Sequence, residues 1–183
     1  MRLVILGGPG SGKGTQLRAL SQALQLPSIA VGEILRTAIV QNTLLGQKAQ
    51  TAVLQGQLVP DEVMIQFMRL RLLQEDAKVG WIMEGYPRTA FQAEELNFLL
   101  ESFQQRLDWA IYLEVDEATM LERSAARSRA DDAPEILQHR IKAFHERTLP
   151  ILEYYAPRNR LLSINAQAAP DQVTAEILQK LES

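Results

Sequence analysis

The apolar run Leu3-Val4-Ile5-Leu6 leads without a spacer into Gly7-Gly8-Pro9-Gly10-Ser11-Gly12-Lys13-Gly14-Thr15. A strand ends there, a glycine-rich loop follows, and a lysine opens an amphipathic stretch over Gln16–Leu24. Glycine tolerates positive φ and carries no Cβ, so successive N–H groups can turn inward around a polyphosphate. The unpaired N–H groups and positive dipole end of the next helix add to that field. Lys13 supplies a mobile charge for the outer phosphates. The spacing G-x-x-x-x-G-K is met by Gly7, Gly12 and Lys13, although Gly14 stands where Ser or Thr is usual and the hydroxyl comes at Thr15. A glycine-rich turn alone is only a turn. With a strand before it and a helix after it, the pattern implies binding of a nucleoside triphosphate or a similar phosphate chain.

A length of 183 residues fits one domain with its own core. With 46% hydrophobic and 22% charged residues the composition is that of an ordinary soluble globular protein. A net charge of −3 gives no global basic field for nucleic acid. The absence of cysteine excludes disulfides, thiolate metal sites and cysteine nucleophiles. The short apolar start does not read as a signal peptide, and no stretch approaches the ~18 apolar residues of a membrane span. The expectation is a cytoplasmic enzyme with no membrane partner.

Short apolar runs alternate with amphipathic stretches. Strands are expected at Arg2–Leu6, Ser28–Ala30, Gly80–Met83, Trp109–Glu114 and Leu161–Ile164. Helices are expected at Gln16–Leu24, Glu33–Val40, Leu44–Leu54, Asp61–Glu75, Ala90–Phe103, Glu117–Arg127, Pro134–Tyr155 and Pro170–Leu181. This alternation predicts an α/β fold, a parallel sheet with helices on both faces and ligands at the carboxyl ends of its strands. Polar Ser128–Pro134, between two helices, reads as a short exposed loop able to move.

Arginines fall where phosphate chemistry wants them. Arg36 follows the second strand and Arg88 the third, while Arg123, Arg127, Arg129 and Arg140 flank or occupy the polar loop. Any one of them read alone is a solvated surface side chain. Their clustering at strand ends changes that reading, because planar guanidinium forks clamp phosphate oxygens bidentately where Lys13 alone could not neutralise two phosphate chains.

Taken together these segments resemble the adenylate kinases, nucleoside monophosphate kinases of the P-loop class. The matching segments are residues 7–15, Gly32-x-x-Leu35-Arg36, Gly56-x-Leu58-Val59-Pro60-Asp61, Gly85-Tyr86-Pro87-Arg88-Thr89 with Gln92, Arg129-x-Asp131-Asp132, Arg140, and Pro150 with Tyr154-Tyr155. Glycine after the loop lysine is normal for that family. The resemblance implies a single three-layer P-loop NTPase domain over 1–183, with a five-stranded parallel sheet, a helical nucleotide-binding flap at 31–60 and a short lid at 128–134. It implies Mg²⁺-dependent, reversible transfer from ATP to AMP giving two ADP, with no covalent intermediate.

Roles follow residue by residue from the same resemblance. Gly10, Ser11, Gly12, Lys13, Gly14 and Thr15 would hold the ATP phosphates. Arg123 would lie against the ATP adenine with Ala168 as a further contact, and Arg127 would reach the phosphates. Arg36, Arg88, Arg129 and Arg140 would bind AMP and the transferring phosphoryl group. The Val59 backbone and Gln92 would read the AMP base, with Gly85 lining that pocket and Gln57 and Val31 among the AMP-binding residues. Glu84 would sit in the water shell of Mg²⁺, with no protein atom bound directly to the metal. Without cysteine, no structural zinc is expected, and family behaviour suggests a monomer.

An AMP phosphate oxygen is already ionised near pH 7, its second pKa being about 6, so no general base is needed. His139 and His145 accordingly read as surface or helix-packing residues. The chain departs from the family near the chemistry: Ala30-Val31-Gly32-Glu33 stands for Ser-Thr-Gly-Asp, Glu84-Gly85-Tyr86-Pro87-Arg88 for Asp-Gly-Phe-Pro-Arg, and Asn165-Ala166 for Asp-Gly. These changes leave open a UMP or CMP kinase, or a nucleotide-binding regulator with weak turnover. A P-loop GTPase would want Asn-Lys-x-Asp, which the chain lacks.

Overall fold

The first strand, β1 (Arg2–Leu6), lies at the centre of the sheet, with Leu3, Val4 and Ile5 at most 1% exposed. In the computed structural model, which describes residues 1–127 and 133–182, five parallel strands run in the order β2-β3-β1-β4-β5. The others are β2 (Ser28–Ala30), β3 (Trp81–Glu84), β4 (Trp109–Glu114) and β5 (Leu161–Asn165). The near-continuous apolar composition and burial of β1, β3 and β4 are what a strand covered on both faces requires, while the edge strands β2 and β5 leave Ser28, Ser163 and Asn165 exposed. The register sets Ile5 beside Glu84 and Glu84 beside Ala30, while Leu6 pairs with Tyr112 and Glu114 with Asn165. Every strand therefore stops at the same edge, and the glycine loop and the segments at 32–36 and 85–88 each follow a strand end there.

The helices are α1 (Lys13–Leu24), α2 (Val31–Val40), α3 (Leu44–Leu54), α4 (Asp61–Leu72), α5 (Ala90–Ser102), α6 (Glu117–Arg127), α7 (Pro134–Ala143), α8 (Ile151–Tyr155) and α9 (Pro170–Glu182). None among the described residues is long and apolar enough to cross a membrane. Buried Gln16 ties α1 to α9, its Nε2 donating to the Pro170 carbonyl at 2.9 Å while its Oε1 accepts from Thr174 Oγ1 at 2.8 Å. α2 and α3 form a tight hairpin: Thr43 caps α3 through Gly46 N–H at 3.1 Å, and a Cβ at Gly46 would overlap the Ala38 carbonyl.

Several expected boundaries are corrected. α1 begins at Lys13 rather than Gln16, because Gly12, at φ 92°, turns its carbonyl to accept from both Thr15 and Gln16 N–H. α2 begins at Val31, directly off β2. α4 ends at Leu72, and Glu75–Ala77 forms a separate 3₁₀ turn. The single helix expected over 134–155 is three pieces: α7, a π-helical turn at Phe144–Thr148, and α8 starting after Pro150. Proline lacks the N–H that would continue the ladder, so the chain restarts there. β3 and β5 each reach one residue further toward the shared edge than expected. Of the polar loop, Ser128–Asp132 lies outside the described residues.

Candidate active site

Gly10 and Gly12 have φ of 73° and 92°, and Gly7 is also at positive φ. The loop they form sits hard against α6. A Cβ at Gly10 would lie 2.6 Å from the Met120 carbonyl oxygen and 3.0 Å from Ser124 Oγ. The loop must therefore be glycine here for two reasons, backbone conformation and space. Lys13 Nζ donates to the carbonyls of Gly7 and Gly8 at 2.8 and 2.6 Å, folding the ammonium back over the loop.

The loop opens into a cleft of about 470 Å³ along the carboxyl edge of the sheet. Gly10, Ser11, Gly12, Lys13, Gly14 and Thr15 form one wall, and Arg36, Glu84, Gly85, Arg88 and Arg140 another. Arg123 and Ala168 border it on the β5 side. A smaller recess of about 70 Å³ continues from it and is lined by Gln57, Val59 and Gln92, sharing Arg36, Gly85, Arg88 and Arg140 with the main cleft. Six cationic side chains and two carboxylates, Glu33 and Glu84, line the cleft among the described residues. In a chain of net charge −3 this is a local concentration of positive charge, the field a polyanion needs.

The arginines arrive from different elements. Arg36 lies one turn into α2 above Gly32, where a Cβ would meet its Nη1 at 3.5 Å. Arg88 follows the cis Tyr86–Pro87 peptide, and its Nε donates to the Gly85 carbonyl at 2.9 Å. Arg140 comes from α7, its stem packing against Gly56. Arg123, on α6, donates to the Ala166 and Gln167 carbonyls at 2.9 and 3.2 Å, fastening α6 to the loop after β5. Gln167 is held in turn by Asp116, which accepts from its Nε2 at 2.5 Å. Hydrogen bonds from Thr119, aided by Gln167 and Arg123, hold the Asp116 carboxyl below its ordinary range.

Three residues expected at the site are not among the residues that line the two cavities. Val31 is buried in the core at 1% exposure and packs behind Gly85, outside the walls of both cavities. Arg127 ends α6, and Arg129 lies outside the described residues. Sequence reasoning gave no role to three contacts the fold creates. Gln92 Nε2 donates to Asp61 Oδ1 at 2.7 Å, Thr148 Oγ1 donates to the Arg88 carbonyl at 2.9 Å, and His139 Nδ1 lies 3.3 Å from the Gln55 carbonyl. Asp61 belonged to a quoted motif, but nothing local signals its partner 31 residues away. His139 and His145 are exposed, the latter 3.8 Å from Glu117.

The adenylate kinase family model matches residues 5–160. Over 181 residues the chain is 60% identical to adenylate kinase 2 of a Synechocystis species, covering 99% of this chain and 100% of that protein. It is 56% identical to adenylate kinase 2 of a Nostoc species, covering 99% and 98%. To the adenylate kinase of Stenotrophomonas maltophilia it is 37% identical, with both chains covered completely. A glycine-rich loop on the central strand, a continuous cationic cleft beyond it and similarity along the whole chain lead to one conclusion: this enzyme belongs to the adenylate kinase family.

Proposed function

We propose that this chain catalyses reversible, Mg²⁺-dependent transfer of the terminal phosphoryl group of ATP to AMP, giving two ADP. The observation that carries the reading is continuity. The glycine loop and the Gln92 recess are two ends of one cleft, joined by Arg36, Arg88 and Arg140. Donor and acceptor phosphates thus meet at one cluster of cations.

The donor phosphates lie on the N–H groups of residues 10–15, with Lys13 leaving its loop carbonyls for the outer oxygens. Arg123 and Ala168 flank the donor base. The acceptor lies in the recess, its base against Gln57, Val59 and Gln92 and its phosphate on Arg36, Arg88 and Arg140. Arg127 and Arg129 complete the phosphate contacts. The residues at 31–60 act as the acceptor flap, and those at 128–134 as the lid that keeps water from competing for the phosphoryl group. No base is needed, since the attacking oxygen is already an anion. Rate enhancement comes from in-line positioning and from cations aimed at the charge on the transferring group.

A divalent cation fits this donor set. Among the described residues no cluster of three carboxylate or imidazole groups exists to cage an ion, while Glu84 and Thr15 line the cleft. That set suits Mg²⁺, which keeps much of its water and binds chiefly through substrate phosphates. When bound, it neutralises phosphate charge and orients the oxygens. Glu84 would hold that ion's water shell, with a side chain one methylene longer than an aspartate.

The test is formation of ADP from ATP and Mg²⁺ with AMP, UMP, CMP or GMP as acceptor. Preference for AMP is expected. Preference for UMP or CMP would replace the acceptor assignment, and tight ATP binding without turnover would replace the enzymatic one.

A further inference from the structure

Gln92 is 2% exposed, yet its amide is fully directed. Its Oε1 accepts from the main-chain N–H of Arg88 at 2.8 Å, and its Nε2 donates to Asp61 Oδ1 at 2.7 Å. Amide oxygen and nitrogen are nearly the same shape, so the orientation of a glutamine is settled by its partners. Here the partners permit one answer. A backbone N–H can only donate, and an ionised carboxylate can only accept. Turning the amide over would set donor against donor at Arg88 and acceptor against acceptor at Asp61.

Resting on the proposal that Gln92 reads the acceptor base, we propose that Asp61 is a specificity-determining positioning residue that locks the flip of this amide. It thereby makes the site choose 6-aminopurine over 6-oxopurine nucleotides. Once its two structural bonds are made, Gln92 has one Oε1 lone pair and one Nε2 proton left for a base. The 6-aminopurine edge offers an N–H donor at position 6 beside an acceptor at N1, and the 6-oxopurine edge has the same two places reversed. A freely turning amide pairs with either edge. A locked amide pairs with one, and with the other it leaves buried polar groups opposed, which is how hydrogen-bonding sites achieve strong discrimination. Asp61 opens α4 and Gln92 lies in the first turn of α5, so the packing of two helices outside the phosphate site sets the base preference.

Asp61→Asn tests this without changing shape. The amide introduced there can itself turn over and offer an N–H to an inverted Gln92, so inversion then sacrifices only the Arg88 bond. With ATP as donor, kcat/KM for IMP is expected to rise about tenfold, one strong hydrogen bond's worth of discrimination, and the AMP:IMP preference to fall accordingly. In a Gln92→Ala background the same substitution is expected to leave that preference unmoved. A role limited to the helix start would weaken both acceptors together, and so would not raise IMP use. A preference unchanged by Asp61→Asn, or one that falls only through loss of AMP turnover, overturns the proposal. A second readout is independent of turnover: the ¹⁵N–¹H side-chain amide pair of Gln92 is expected to shift in Asp61→Asn, and identical resonances in both proteins would overturn the lock. Were the wild-type protein to make no ADP from either acceptor, the proposed reaction would fail while the amide measurement still judged the lock.

Discussion

Thr148 Oγ1 donates a 2.9 Å hydrogen bond to the main-chain carbonyl of Arg88, 60 residues away in the chain. With the Arg88 N–H held by Gln92 and its Nε by Gly85, the protein itself holds the arginine at three points. Thr148 stands in the π-helical turn between α7 and α8, where the extra residue in the turn re-aims the side chains that follow. Thr148→Val keeps the shape and removes the bond. It is expected to lower kcat/KM for AMP roughly three- to tenfold, the worth of a neutral hydrogen bond, with KM for ATP unmoved. Thr148→Ser restores the hydroxyl, and steady-state kinetics with AMP varied checks both.

Arg88→Ala removes the fixed guanidinium that faces both cavities. Turnover is expected to drop by two or more orders of magnitude, as when a preorganised charge-stabilising donor is lost, at about 2.7–4 kcal/mol. ATP affinity measured by calorimetry is expected to stay within about threefold, because the loop at 7–15 is untouched. Comparable losses in turnover and ATP affinity would refute the assignment of Arg88 to the acceptor side.

Arg123→Lys separates the donor side. A lysine cannot span the Ala166 and Gln167 carbonyls as the guanidinium does. KM for ATP is expected to rise about threefold to tenfold and KM for AMP to stay put. Initial rates with each substrate varied in turn report the split.

Gly10→Ala combines left-handed strain, about 1–2 kcal/mol, with a collision against the Met120 carbonyl. The collision partner is backbone and cannot swing aside. Urea unfolding is expected to show a loss of at least about 2 kcal/mol, together with weaker ATP binding.

Alkaline pH is expected to destabilise the fold through Tyr86 and Tyr155, both at most 4% exposed. Burial pushes both phenols well above their ordinary value near 10, and the neighbouring carboxylates Glu95 and Asp61 add to the effect at Tyr86. The native state then keeps a proton that the unfolded chain gives up. Their contribution is complete below about pH 10 and declines as pH rises toward the folded-state values, by up to about 1.4 kcal/mol per pH unit per tyrosine. Denaturant titrations from pH 8 to 11 on the wild type and Tyr155→Phe measure the slope, which is expected to be shallower in the variant.

Much of this was legible in the chain itself. β1 and β4 run as their apolar patterns indicate, because strands covered on both faces leave an uninterrupted signature, and β2 runs where expected although it is a short edge strand. The glycine loop announces itself because one local run of residues builds it. The split of 134–155 was hidden for a different reason. Periodicity averages over a window, and the insertion of one residue at Phe144–Thr148 leaves the apolar stripe nearly intact. Gln92 was recognisable from its motif, but Asp61 and Thr148 were not assigned roles. Their bonds to Gln92 and Arg88 span 31 and 60 residues, and no spacing rule encodes a contact made only after the helices have packed.

The place of β1 at the middle of the sheet has a consequence for time as well as for shape. Its residues are paired on both sides and sealed above and below, so its amide protons are expected to exchange with solvent only when the whole domain opens. α2 and α3, joined through Asn42 and Thr43 and carrying the exposed Val40, Leu44 and Leu54, belong to the softer end of that scale. The cleft is thus expected to span a gradient of local stability, with amide exchange slowest in β1 beside the glycine loop and fastest along α2 and α3.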